Sequence, residues 1–287
     1  MMKHKLFAGA LALTLVIGGL VGCSQETAND NTAAPTITPE AEAQMDEAQN
    51  TEKDLLAQIQ EDGKLLIGTE GTYAPYTYHD ETGELVGYDV EVARAIADKL
   101  GVKAEFVESN WDSLIAGLDA KRYDVVMNQV TITEERLKKY DFSTPYTISR
   151  AALIVGKDNT EIAAFEDLKG KKSAQSLTSN YGTLAGQYGA ELLSADGSFS
   201  KAIELVLSGR ADATINDQVS FYDFLKQQPD AQVKLVDTLE DASKNAVLIS
   251  KGNDTLVEAI NKALEELAGD GTLANISDKY FSADITK

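Results

Sequence analysis

Short apolar runs typical of buried strands alternate with helix-like segments along most of the chain. A helix is predicted from Asp89, as its N-cap, to Gly101, because apolar residues between them recur every three or four positions. Strands that alternate with helices favour mostly parallel α/β sheets. The predicted strands are 64–68, 103–107, 123–127, 151–155, 211–215, 233–236 and 246–250, and a polar hairpin is predicted at 76–88. Further helices are predicted at 179–188, 200–207, 219–225 and 256–267, together with a short helix that begins near 110 or 112.

The first 22 residues have the features of an export signal. A basic start is followed by an apolar segment at 6–20, which is too short for a typical membrane span. The Leu-Val-Gly-Cys sequence at 20–23 resembles a bacterial lipoprotein box, so we predict cleavage after residue 22 and lipid attachment at Cys23. Ordinary secretion with a chance cysteine is the alternative. Cys23 is the only cysteine of the chain, which favours the lipid and excludes an intrachain disulfide.

Residues 23–50 are rich in Ala, Thr, Asn, Glu, Gln and Pro and contain almost no large apolar side chains. Such a segment cannot bury enough surface to offset its chain entropy, so it is predicted to be a disordered tether. The remaining part, roughly 230 residues long, suffices for one large domain or two small ones. The formal net charge of −20 argues against nucleic-acid binding, which requires Lys and Arg to neutralise phosphates.

The segment after the strand at 123–127 carries a candidate anion site. Thr133 is a good N-cap, which places Arg136 at the third position of the following helix. A cation there faces the positive end of the helix dipole, which is unfavourable unless an anion lies between them. Backbone N–H groups and a guanidinium together suit a carboxylate. The alternative is a surface Arg136 paired with a neighbouring Glu.

Seven short motifs occur in order between residues 65 and 281, and together they resemble the bacterial extracellular solute-binding proteins that deliver polar amino acids to ABC importers. The segment QSLTSNY at 175–181 is most similar to the cystine- or cysteine-binding branch of this family. The motifs are GTEGTYAPY at 68–76, GYDVEVA at 87–93, WDSLI at 111–115, VTITEER at 130–136, FSTPY at 142–146, DLKGK at 167–171 and GRADA at 209–213.

The resemblance implies the two-lobed, type II fold of the periplasmic binding proteins, with a ligand cleft between two α/β lobes joined by two hinge strands. Lobe 1 would comprise 51–149 and 246–287, and lobe 2 would comprise 150–245, with hinges at the two crossing points. It also implies an amino-acid ligand, an ABC permease as partner, hinge closure and no catalysis. We expect a monomer on the extracytoplasmic face, held to the cell membrane only through its N-terminal lipid, with no cofactor or metal.

The resemblance also assigns roles to individual residues. Arg136 would bind the ligand α-carboxylate and Asp217 the α-ammonium, although Asp217 could instead cap the helix that follows it. Tyr73 and Trp111 would sandwich the ligand side chain. Glu70 could meet a second ammonium, such as the far end of cystine, or could be a solvated loop residue. The complete predicted ligand-binding set is Glu70, Tyr73, Tyr76, Trp111, Asn128, Gln129, Thr131, Arg136, Thr178, Ser179, Asn180 and Asp217.

Two other functions remain open from the sequence. One is a receptor for a different polar amino acid, such as glutamate, glutamine or histidine. The other is an exported enzyme on the same fold, such as a dehydratase of small carboxylic acids, because fold alone does not fix function. An enzyme would need an acid or base beside the ligand, and Glu70 is the candidate.

Overall fold

The computed structural model describes residues 54–287. The predicted export signal at 1–22, the lipid site Cys23 and the predicted tether at 23–50 lie outside the described residues. Within the described part, no helix combines the length and the apolar character that crossing a membrane requires.

Nine α-helices and one 3-10 helix occur between residues 54 and 287. The 3-10 helix is Phe165–Leu168. The α-helices are α1 (Leu55–Asp62), α2 (Tyr88–Leu100), α3 (Trp111–Asp119), α4 (Glu134–Leu137), α5 (Asn180–Gln187), α6 (Phe199–Leu207), α7 (Gln218–Gln227), α8 (Asp254–Gly269) and α9 (Thr272–Phe281).

The same part of the chain contains fifteen strands. They are β1 (Lys64–Thr69), β2 (Thr72–Tyr73), β3 (Thr77–His79), β4 (Leu85–Val86), β5 (Lys103–Glu108), β6 (Val125–Val126), β7 (Tyr140–Phe142), β8 (Thr147–Ser149), β9 (Ala151–Gly156), β10 (Lys172–Gln175), β11 (Glu191–Ser194), β12 (Ala213–Asp217), β13 (Val233–Thr238), β14 (Ser243–Asn245) and β15 (Leu248–Ser250).

Two five-stranded sheets, each flanked by helices, form the two lobes. The first lobe has the strand order β5-β1-β6-β15-β7, and the second has the order β11-β10-β12-β9-β13. In each sheet two strand pairs are parallel and two are antiparallel. The prediction of mostly parallel sheets is therefore only half right. The antiparallel pairs all involve β9 or β15, the strands that enter a sheet directly from the other lobe instead of through a helical crossover.

A two-stranded ribbon carries the chain between the lobes. Strands β8 and β14 pair antiparallel, with Thr147 opposite Asn245 and Ser149 opposite Ser243. Strand β8 leads from the first sheet into β9, and β14 leads from β13 back to β15. Both predicted crossing points lie at or beside this ribbon, while the predicted lobe boundaries stay a prediction.

Helix α2 shows how the sequence pattern forms an element and where it misleads. The predicted apolar face is buried at its centre, where Val92 and Ile96 are fully buried. The helix begins at Tyr88 with Gly87 as its N-cap, so the prediction of Asp89 as the cap is wrong. Gly87 has φ 131°, and a Cβ there would lie 2.2 Å from the Tyr76 carbonyl oxygen, so only glycine fits. The Asp89 carboxylate is consequently free to bind a different element.

Candidate functional site

The carboxyl end of β1 places Glu70 beside the loop that follows β6. Asn128 Oδ1 accepts hydrogen bonds from the Glu70 N–H (2.9 Å) and the Thr69 hydroxyl (3.1 Å), and its Nδ2 donates to Glu70 Oε2 (2.5 Å). Asn128 belongs to the predicted ligand-binding set, but its side-chain carbonyl oxygen is thus already paired within the protein. Asn128 instead holds the Glu70 carboxylate in a fixed position.

The Glu70 carboxylate is buried without a counter-ion in the described part of the chain. The residue is 8 % exposed, and among residues 54–287 no Lys or Arg nitrogen lies within 4 Å of it. Burial raises the pKa of Glu70 to about 7, although hydrogen bonds from Asn128 and from the Trp111 backbone oppose the shift. A positive ligand group brought beside Glu70 would remove most of this cost.

Arg136 is a buried cation that has no carboxylate partner among residues 54–287. Its N–H is capped by the Thr133 hydroxyl (3.2 Å), as the sequence predicted. Its guanidinium donates to the Thr131 carbonyl oxygen (2.9 Å) and stacks over the Trp111 ring, 5.4 Å from the centroid. Burial lowers the pKa of Arg136 to about 10, so it stays charged at neutral pH. The residue is 9 % exposed, which contradicts the alternative of a surface ion pair.

Asp217 ends β12 and caps α7. Its Oδ1 accepts hydrogen bonds from the N–H groups of Val219 (2.9 Å) and Ser220 (3.2 Å), so the capping interpretation is correct. The same oxygen accepts a hydrogen bond from the Tyr76 hydroxyl of the first lobe (2.8 Å). Burial raises the pKa of the Asp217 carboxyl above its usual range. These three contacts all use Oδ1, and the Ser149 hydroxyl of the ribbon also interacts with the carboxylate.

Further hydrogen bonds join the two lobes across the cleft. The Tyr73 hydroxyl donates to Asn216 Oδ1 (2.8 Å), and the Ser220 hydroxyl donates to the Ala74 carbonyl oxygen (3.1 Å). At the rim, the Thr178 hydroxyl donates to Asp112 Oδ1 (2.7 Å). The cleft is therefore closed by direct contacts between the lobes.

Two adjoining cavities lie in the closed cleft. The first cavity has a volume of about 50 Å³, and among the described residues Glu70 is the only charged side chain that lines it. The second cavity contains Arg136 and opens toward Lys139 and Glu135. Of the predicted site residues, the first cavity is lined by Glu70, Tyr73, Trp111, Asn128, Gln129, Ser179 and Asn180, the second by Thr131, Arg136, Thr178 and Asn180, and neither by Tyr76 or Asp217.

Gln129 and Thr131 bind the ribbon between the lobes. Gln129 has φ 52°, unusual for a residue other than glycine, and its Oε1 accepts from Asn245 Nδ2 (2.8 Å). Its Nε2 donates to Asp89 Oδ1 (2.6 Å) and Thr147 Oγ1 (3.2 Å). The Thr131 hydroxyl donates to Asn245 Oδ1 (2.8 Å). The side chains of Gln129 and Thr131 therefore fix the geometry of the ribbon. This holds whether or not the backbone atoms of these residues contact a ligand.

Ser198 and Phe199 are among the residues of the first cavity that sequence reasoning missed. Ser198 caps α6 and Phe199 begins it, and both face the cavity from the second lobe. Serine is a common N-cap, so its occurrence before an apolar helix gave no reason to place Ser198 in the site. Asn216 also lines this cavity from β12, and its bond to Tyr73 depends on the closed lobes.

The buried carboxylates predict that the ligand-free protein loses stability as pH rises. Glu70 and Asp89 both have pKa values raised to about 7, above their unfolded values, so the folded chain binds more protons between about pH 4 and pH 7. The stabilisation is complete below that window and is lost through it, on the order of 3–4 kcal/mol for each group. We expect Glu70→Gln to flatten the decline measured by urea unfolding from about pH 5 to pH 8.

The exposed Glu81→Gln is the matched control, because it changes the same functional group outside both cavities. A slope in Glu70→Gln as steep as in the wild type would show that Glu70 titrates normally.

Two lobes that meet over polar cavities, with a buried cation and buried carboxylates at the meeting faces, define a protein built to enclose a small charged ligand. The chain belongs to the bacterial extracellular solute-binding proteins, family 3, whose family model matches residues 65–283. Its relatives include the L-cystine-binding protein TcyA of Bacillus subtilis, 46 % identical over 235 residues, which is 82 % of this chain and 87 % of the relative.

Two solved structures show how the lobes are arranged. An ancestral arginine-binding protein bound to arginine has TM-score 0.72 at 42 % identity, covering 76 % of this chain and 98 % of its own. The L-cystine solute receptor of Neisseria gonorrhoeae, in its unliganded open conformation, has TM-score 0.54 at 45 % identity, covering 81 % and 99 %. The TM-score is higher for the ligand-bound structure than for the open one, although its sequence identity is lower, and this agrees with the closed cleft.

Proposed function

We propose that this protein is the extracytoplasmic receptor of an ABC importer and that it binds a polar amino acid, with cystine or cysteine favoured over glutamate, glutamine or histidine. The observation that carries the proposal is the buried Arg136, charged and without a carboxylate partner among the described residues. A buried cation is costly unless an anion meets it, and an α-carboxylate fits the planar guanidinium. The cystine-binding relative supports the choice of ligand.

The ligand would be held at both poles of its amino-acid head group. Its carboxylate binds Arg136 on the first lobe, and its ammonium binds Asp217 on the second. Because the two anchors belong to different lobes, ligand binding favours the closed arrangement. The size of this effect is set by how much more tightly the ligand binds the closed protein than the open one. The closed receptor then docks on the permease, and no chemical step is involved.

The membrane attachment is a separate part of the proposal. The lipoprotein-like sequence at 20–23 supports an export signal ending at residue 22 and lipid on Cys23. The folded part, as a monomer, would stay in solution near the membrane, since the chain's formal net charge of −20 disfavours contact with anionic lipids. Labelling cells with a radioactive fatty acid and comparing Cys23→Ser with the wild type tests this attachment.

A ligand panel tests the receptor function. Trp111, the only Trp, lines the first cavity and stacks with Arg136, so we expect its fluorescence to change when an amino acid binds. The purified full chain is titrated with each amino acid and with cystine, calorimetry is run in parallel, and released small molecules are identified by mass spectrometry. Glucose serves as the negative control. If no amino acid gives heat or a fluorescence change, the proposed function is wrong. Conversion of a bound ligand would instead favour the dehydratase-like alternative.

A further inference from the structure

A series of buried hydrogen bonds runs from the start of α2, through the ribbon, to the segment that carries Arg136. It begins at Asp89, whose two carboxylate oxygens accept from Gln129, one from the backbone N–H (2.8 Å) and the other from Nε2 (2.6 Å). Gln129 Oε1 accepts from Asn245 Nδ2, and Asn245 Oδ1 accepts from the Thr131 hydroxyl (both 2.8 Å). The Thr131 carbonyl oxygen accepts from the Arg136 guanidinium (2.9 Å). This hydrogen-bond series therefore links a carboxylate of α2 to a cation of the cleft.

The members of the series are withdrawn from water. Asp89 is 1 % exposed, Gln129 is 7 % exposed and Asn245 is buried as well. Among residues 54–287, Asp89 forms no ion pair with a Lys or Arg side chain. A buried polar group that loses its partner costs about 1–3 kcal/mol, because water cannot replace the lost hydrogen bond. Each member therefore depends on its neighbour in the series.

Asp89 determines which way the amides of the series turn. An ionised carboxylate can only accept hydrogen bonds, so the donor end of the Gln129 amide has to face it. The acceptor end, Oε1, is then left for Asn245, which has to present Nδ2. Asn245 Oδ1 consequently faces Thr131, whose hydroxyl donates to it. One acceptor-only group thus fixes the orientation of every side chain up to Thr131.

The series also holds both strands of the ribbon and a strained loop. Gln129 Nε2 donates to Thr147 Oγ1 of β8 (3.2 Å), while Asn245 belongs to β14. Gln129 has φ 52°, a conformation that persists only where surrounding contacts impose it. The Asp89 carboxylate makes two of these contacts, since it binds both the backbone and the side chain of Gln129. The loop and the ribbon therefore share one support.

We propose that Asp89 is a positioning residue of the receptor, which through Gln129 orients the ribbon and the loop at Thr131 and so places Arg136 for the ligand. Asp89 lines neither cavity, so it acts through its neighbours. The inference rests on the proposed function only for the role of Arg136. The direction of the hydrogen-bond series is a property of the folded protein and can be measured without a ligand.

Moving the carboxylate from one side of the contact to the other tests this direction. Asp89→Asn keeps the shape of the side chain, but its amide N–H then meets Gln129 Nε2, so that two donors face each other. Gln129→Glu places a second carboxylate against Asp89, so that two acceptors face each other. In the double variant, the amide at position 89 donates to the carboxylate at position 129, which can still accept from Asn245 Nδ2 and the Thr147 hydroxyl.

Hydrogen exchange measured by mass spectrometry reads the ribbon in the absence of ligand. The experiment is run at about pH 8, where Asp89 is mostly ionised, since burial raises its pKa to about 7. Each single variant should speed exchange in segments 130–132 and 243–247 roughly tenfold or more, and the double variant should return it to within about threefold of the wild type. Wild-type exchange in Asp89→Asn, or no recovery in the double variant, would overturn the proposal.

Calorimetry with L-cystine measures the effect on binding. Asp89→Asn should raise the Kd roughly tenfold or more, and the double variant should recover most of the affinity, because the two substitutions restore one another's hydrogen bonds. Asp98→Asn, the same substitution at an exposed position of α2, is the control and should change neither exchange nor Kd. Unchanged affinity in a variant whose ribbon exchanges faster would disprove the link to Arg136.

Thermal unfolding identifies any variant that does not fold. If a single variant is unfolded, the double variant decides, since the proposal requires it to fold and to exchange like the wild type. If the wild type binds neither L-cystine nor any other amino acid, the proposed receptor function fails. The exchange measurement still decides the direction of the hydrogen-bond series in that case, so the two failures are distinguishable.

Discussion

Replacing Arg136 with alanine is expected to abolish most of the affinity for the amino acid, weakening binding at least tenfold. The guanidinium is buried, carries its charge at neutral pH and has no carboxylate partner among residues 54–287, so the ligand carboxylate would be its first. Truncating one member of such a desolvated charge pair costs roughly 2–5 kcal/mol, because the ligand carboxylate is then buried without a partner.

The measurement is isothermal calorimetry with whichever amino acid the panel identifies. Arg122→Ala is the matched control, since Arg122 is exposed and lies outside both cavities. Urea unfolding should show that Arg136→Ala loses no more stability than the loss of one hydrogen bond would cost, because the variant also removes an uncompensated buried charge. Affinity unchanged from the wild type, in a folded variant, would refute the role of Arg136.

The second large effect is expected for Asp217→Asn. Asparagine is as good an N-cap as aspartate and can still accept the Tyr76 hydroxyl, so the local structure should persist. The charge that would receive the ligand ammonium is removed, and we expect the Kd to rise roughly 30-fold or more, which corresponds to about 2 kcal/mol. Stability should increase above neutral pH, because burial raises the pKa of the Asp217 carboxyl and its ionised form is costly.

Asp223→Asn, on the same helix α7 but outside both cavities, controls for a general change in charge. Calorimetry measures the affinity, and thermal unfolding in the absence of ligand measures the stability. A variant that keeps wild-type affinity would mean that Asp217 only caps the helix and joins the lobes.

The order of helices and strands was predictable because it depends on local spacing of apolar residues. Helix α2 was accessible in this way, and the caps at Thr133 and Asp217 followed from residue type. The two-lobed class came instead from the family resemblance. The mixed sheets were not, since the direction of β9 and β15 depends on how the chain crosses between lobes.

The site was predictable as a set of residues and less so as a set of contacts. Asn128 and Gln129 lie at the cleft as the resemblance implied, yet their amides pair with Glu70, Asp89 and the ribbon. Sequence spacing cannot show which way an amide turns, because its partners come from distant segments. For the same reason, nothing in the sequence showed that Ser198 lines the first cavity.

The rim contact between Thr178 and Asp112 has a consequence for how such a receptor can be tuned. It involves exposed or half-buried groups from both lobes; Asp112 lines neither cavity, whereas Thr178 lines the second. Because the hydrogen bond joins two protein groups, part of the free energy that keeps the lobes together comes from the protein itself. Substitutions at the rim could raise or lower the strength of capture for every cargo alike, while the preference among cargoes is set deeper inside. Strength and discrimination could then evolve along separate routes.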